Sequence, residues 1–68
     1  MKINVINKSR LCELRKNRGY SIKDVSIMLG ITEKGMVDIE EKPSEVSIQL
    51  AAKLARFYNM PTSMITWN

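Results

Sequence analysis

The chain contains no histidine and a single cysteine, Cys12. The first absence removes the usual general base near neutral pH, the commonest metal ligand and any Ser-His or Cys-His nucleophilic pair. The second leaves no intramolecular disulfide and no thiolate cluster to hold zinc, as expected of a chain kept in a reducing cytoplasm. No metal site and no cofactor are expected, and an enzyme reading has little to stand on. Two prolines and three glycines are too few and too scattered to form a linker, so they punctuate helices rather than divide domains. No apolar run approaches the ~20 residues of a membrane span. The opening MKINVINKSR is too polar for a secretory leader. The expectation is a cytoplasmic protein that does not engage a membrane.

What is present fits one small globular unit. A chain of 68 residues, 44% hydrophobic and 26% charged, has room for one modest core, because chains this short bury only ~60% of their unfolded surface. The net charge of +4 favours a polyanionic partner without identifying one. Its distribution is uneven. Up to residue 30, Lys2, Lys8, Arg10, Arg15, Lys16, Arg18 and Lys23 outweigh Glu13 and Asp24, a net of +5. From 31 to 46 the balance is −3, with Glu33, Asp38, Glu40, Glu41 and Glu45 against Lys34 and Lys42. Lys53 and Arg56 add +2 at the end.

Apolar spacing and stop signals predict five short helices. The first runs from about Lys8 to Arg18, with Leu11 and Leu14 inward, Asn7 as candidate N-cap and Gly19 as its stop. Ser21 caps the second, with Asp24 in the place of the capping-box acid; Val25 and Leu29 share one face, small Ser26 lies beside them, and Gly30 ends it. Thr32 caps the third, where Met36 and Ile39 point inward and Gly35 is a weak interior position. Ser47 caps the fourth, whose Ile48, Ala51, Ala52, Leu54, Ala55 and Tyr58 form a broad apolar stripe ending near Asn59. Pro61 can start the fifth element, a last short turn holding Met64, Ile65 and Trp67. Residues 1–7 alternate apolar and polar only briefly and suit a flexible arm or a short edge strand.

Residues 21 to 40, SIKDVSIMLGITEKGMVDIE, resemble the helix-turn-helix of the lambda repressor and Cro family, also called the XRE-like family. The likeness lies in apolar Val25 and Leu29, small Ser26, Gly30 at the turn, Ile31 after it, and Met36 with Ile39. Two helices meeting at a sharp angle need a small residue at the crossing and a positive φ at the turn. The flanks LCELRKNRGYS and SIQLAAKLARFYNMP resemble the family's first and fourth helices, so about residues 10 to 66 are covered. The resemblance implies an all-α, five-helix, lambda repressor-like domain over residues 1–68, with its helix-turn-helix at about 22–39. It also implies a pair between Arg15, late in the first helix, and Glu40, at the end of the third.

By the same resemblance the protein is a sequence-specific transcriptional regulator of phage, plasmid or bacterial type. It would occupy double-stranded DNA as a homodimer, a repressor acting by excluding polymerase. The groove-facing positions are Thr32, Glu33, Lys34, Val37 and Asp38, and the phosphate-facing ones Ser21, Ile22, Lys23 and Lys42. Lys34 is the candidate reader of guanine. Several positions depart from the family: Ile22 stands where glutamine is usual, Gly35 where a small polar residue is usual, and Glu33 and Asp38 put acid where phosphate repels it. A plain reading accounts for them equally, since Glu33 suits a helix N-terminus and Lys34 and Asp38 make an i, i+4 pair. A rival reading follows, an interaction module (an antirepressor or co-regulator) that engages a protein such as a repressor through its acidic third helix. Met64 and Trp67 are a candidate dimer or partner surface, and Cys12 reads as a small half-buried residue.

Overall fold

The structure, a computed structural model, describes residues 8–67. Four α-helices follow in order: α1 Leu11–Asn17, α2 Ile22–Leu29, α3 Glu33–Glu41 and α4 Ile48–Phe57, with single 3-10 turns at Pro43–Glu45 and Thr62–Met64. No strand forms among the described residues, only an isolated parallel bridge between Ser9 and Ile65. Residues 1–7, expected as an arm or strand and holding Asn7 as a cap, lie outside the described residues.

Local chemistry sets most of the helix ends. The hydroxyls of Ser21, Thr32 and Ser47 each accept from the backbone N–H three residues on, at Asp24, Gly35 and Leu50, satisfying donors that a helix start leaves free. At α2 the arrangement is reciprocal, because the Asp24 carboxylate accepts from the Ser21 N–H at 2.9 Å. That bond holds the Asp24 carboxyl below its ordinary range. Three helices stop in the same way. After α1, Gly19 donates to Lys16 and Tyr20 to Arg15; after α2, Gly30 donates to Ile27 and Ile31 to Ser26; after α4, Asn59 donates to Arg56 and Met60 to Ala55. Each stop needs a left-handed residue, and Gly19, Gly30 and Asn59 have φ of 75°, 72° and 55°.

Two expected helix boundaries are corrected, both toward the chain ends. The first helix starts at Leu11 rather than about Lys8, because Ser9 is drawn into extended pairing with the far end of the chain. Its N–H donates to the Met64 carbonyl and its carbonyl accepts from Thr66, both at 2.9 Å. The fifth helix is absent: only Thr62–Met64 forms a turn, and Ile65 leaves it extended at φ −108°, ψ 135°. The backbone bonds that a last helix would keep to itself go to Ser9 instead.

The core gathers Leu11 and Leu14 from α1, Val25 and Leu29 from α2, Met36 from α3, Leu54 and Ala55 from α4, and Tyr58 and Ile65 beyond it. Ser26 is the one buried polar side chain at the α2–α3 crossing, and its hydroxyl donates to the Lys23 carbonyl at 2.8 Å. Ile48 departs from the expected stripe of α4, being 87% exposed.

Tyr58 gives the core a pH dependence. Its side chain is fully buried, its ring stands edge-on to Phe57 with centroids 4.9 Å apart, and its hydroxyl has no hydrogen-bond partner among the described residues. Burial, with the nearby Glu40 charge, pushes the phenol up to about 12 from its ordinary 10.0. The stability this shift confers is complete below pH 10 and is lost as pH rises through about 12. Tyr58→Phe should therefore be at least as stable as the parent at pH 7, since it removes a buried hydroxyl that no described group satisfies. Above pH 10 it should keep stability that the parent loses. Urea midpoints across pH 7 to 12 would show parallel curves for the two chains if the phenol were in fact solvated.

Candidate nucleic-acid interface

The turn between α2 and α3 fixes how the third helix is presented. Gly30 is left-handed, yet a Cβ placed there would meet nothing within 4 Å, so backbone conformation alone asks for glycine. Val25, Ser26 and Leu29 on α2 are buried, as is Met36 on α3, with Ile39 packed against the same core. Thr32, Glu33, Lys34, Val37 and Asp38 are left exposed and, at spacings of one, three and four residues, line one side of α3. Val37 is the apolar member, 37% exposed. Lys34 and Asp38 pair at 3.5 Å with both side chains largely in solvent, an arrangement worth only ~0.2 to 0.5 kcal/mol.

The phosphate-facing set divides. Ser21 and Lys23 are exposed at the start of α2, and Lys42 is exposed just after α3, its N–H donating to the Asp38 carbonyl at 2.8 Å. Ile22, in contrast, packs against the core. The apolar residue in the place of a glutamine is thus used for burial, and its neighbours Ser21 and Lys23 remain available.

Behind this face α3 is anchored by Arg15 and Glu40. The guanidinium Nε donates to one carboxylate oxygen at 2.7 Å and Nη2 to the other at 3.2 Å, while Nη1 donates to the Tyr20 carbonyl at 3.0 Å. The two side chains are 11% and 9% exposed. The bidentate geometry joins α1 to the end of α3, and the hydrogen bond to Glu40 holds the guanidinium pKa above its already high value. Two more cations serve the scaffold. Arg18 donates to the carbonyls of Leu14 and Tyr58 and sits 5.4 Å from the Tyr58 ring centroid. Lys53 donates to the Leu29 carbonyl at 3.1 Å, tying α4 to the end of α2. Lys8, Arg10, Lys16, Lys23, Lys34 and Lys42 are exposed.

The tail residues sit lower in the surface than an open patch. Met64 and Trp67 are both half-buried. Trp67 packs against the core, and its indole N–H donates to the Thr62 carbonyl at 3.0 Å. Among the described residues the large apolar side chains left in solvent are Ile27 (67%), Met28 (48%), Val37 and Ile48. Ile27 carried a usable signal, since at two residues from both Val25 and Leu29 it lies off their face; Met28, three residues after Val25, and Ile48 carried none. Among the described residues there is no group of three potential metal ligands, and no helix is long and apolar enough to cross a membrane. Cys12 is a free, half-buried thiol.

Comparison with known proteins agrees with this geometry. The model of the helix-turn-helix family matches residues 13–65. The chain is 29% identical over 56 residues to a protein of Thermococcus gammatolerans provisionally named an HTH-type transcriptional regulatory protein, covering 82% of this chain and 18% of that one. It is 45% identical over 40 residues to proteins with the same provisional name in Saccharolobus islandicus and Saccharolobus solfataricus, covering 59% of this chain and 13% of theirs. The chain therefore spans less than a fifth of the length of these curated relatives. No solved structure matches it.

Proposed function

Since the chain belongs to the helix-turn-helix family, we propose that it is a DNA-binding transcriptional regulator that presents α3 to the major groove. The observation that carries this reading is the division of α3. Met36 and Ile39 are spent on packing against the core, while Thr32, Glu33, Lys34, Val37 and Asp38 stand exposed together. A groove ~12 Å wide admits such a helix. Lys34 would reach guanine, Val37 would meet a thymine methyl group, and Ser21, Lys23 and Lys42 would hold phosphates on either side. In its finer form the proposal is a repressor of phage, plasmid or bacterial type occupying a two-fold operator as a dimer, with half-sites ~34 Å apart.

The exposed carboxylates Glu33, Asp38 and Glu41 on α3 favour a second reading, an interaction module that engages a basic surface on another protein. Titration of a labelled duplex against salt separates the two. Each phosphate contact contributes ~0.9 to the slope of log K against log salt. Lys23→Ala combined with Lys42→Ala should therefore flatten the slope by about 2. An unchanged slope, or no binding at low salt, would leave the interaction module as the better reading.

A further inference from the structure

Of the side chains on α3, Lys34 and Asp38 point most nearly away from the core. Each stands two residues from Met36, which is fully buried, and at about 3.6 residues per turn that spacing places both almost opposite it. They are 86% and 60% exposed, and their charges meet at 3.5 Å, Lys34 Nζ to Asp38 Oδ2. The outermost point of α3 is thus a cation and a carboxylate held side by side.

We propose that this pair reads one G·C base pair in the major groove, the Lys34 ammonium donating to guanine O6 and N7 and the Asp38 carboxylate accepting from cytosine N4. This assignment rests on α3 facing the groove, as proposed for its function. Two features select G·C. Guanine O6 and cytosine N4 are hydrogen-bonded to each other within the base pair and so lie about 2.9 Å apart, close to the 3.5 Å between the two side-chain charges. The order of groups matters as much. Across the groove a G·C pair presents acceptor, acceptor, donor, whereas an A·T pair presents acceptor, donor, acceptor and then the thymine methyl group. On G·C the ammonium covers two adjoining acceptors, and the carboxylate meets the donor at the end of the row. On A·T the carboxylate sits between two acceptors that repel it, and the ammonium reaches one of them at a time. Asp38 is repelled by phosphate on every duplex and recovers affinity only where cytosine N4 meets it. It therefore determines specificity: it raises the ratio of specific to random binding and lowers random binding itself.

Enrichment of duplexes from a random-sequence pool by the intact chain, followed by titration of the enriched duplex with each base pair varied in turn, tests the assignment. One G·C position should emerge at which exchange for A·T lowers affinity about tenfold or more. Asp38→Asn should move the preference at that position to A·T, because an amide donates to adenine N7 and accepts from N6. Lys34→Ala should abolish the preference there and leave those at other positions in place. Both variants should keep the far-UV spectrum of the parent, since the two side chains are exposed. An enriched duplex with no such G·C position, or a G·C preference that survives either substitution, overturns the assignment while the DNA reading stands. A chain that binds no duplex at low salt overturns both.

Discussion

Replacing Glu40 by alanine should cost about 3 kcal/mol of stability, because it strands a guanidinium that is mostly buried. Arg15 is 11% exposed, spends two of its donors on the Glu40 carboxylate and has Tyr20 as its only other acceptor among the described residues. For a chain of this size the whole folding free energy is roughly 3 to 10 kcal/mol, so the variant should lose about a third or more of it. Removing both charges, as in Arg15→Met with Glu40→Met, should recover most of the loss, since a buried pair is often no more stabilising than an apolar one of similar volume. Urea unfolding followed by far-UV circular dichroism measures both. A cost for Glu40→Ala below about 1 kcal/mol would mean that the pair is solvated and does not anchor α3.

What could be read in the sequence was mainly what neighbouring residues decide. The caps at Ser21, Thr32 and Ser47 and the stops at Gly19 and Gly30 involve groups within five residues of each other, and each residue type announces its role. The α2–α3 packing was legible because Val25 and Leu29 on α2, and Met36 and Ile39 on α3, each recur at helical spacing. Contacts between distant parts of the chain were not. The bridge from Ser9 to Ile65 shortens the first helix and replaces the fifth, and nothing local to either residue signals it. The relative placement of Lys53 and Leu29, or of Arg18 and Tyr58, is likewise a product of assembly.

Isoleucine was the least readable residue type in the candidate site. Ile22, at a position that the family resemblance turns toward phosphate, packs on the core, and Ile48, which opens the apolar stripe of α4, faces solvent. Both occupy the first position of a helix, where the approach of the preceding chain, rather than the 3.6-residue period, decides what is covered. The acidic character of α3, by contrast, was plain. The structure adds that Glu40 is the carboxylate turned inward, leaving Glu33, Asp38 and Glu41 in solvent.

Those outward acids give the second large effect. If α3 lies in the major groove, Glu33 and Asp38 stand close to phosphate, and each should weaken sequence-independent binding about as much as a lost lysine contact, roughly tenfold near 50 mM salt. Asp38 acts twice, because its carboxylate also holds Lys34 at 3.5 Å. Glu33→Gln with Asp38→Asn should leave the fold intact, as both side chains are exposed, and should raise affinity for a random-sequence duplex by about a hundredfold at low salt. The placement of α3 as the DNA-facing element is tested most directly by that comparison of the parent and the double variant on one duplex. A gain of about two orders of magnitude is expected; equal affinity for the two chains, with duplex bound by both, would mean that α3 does not face the DNA.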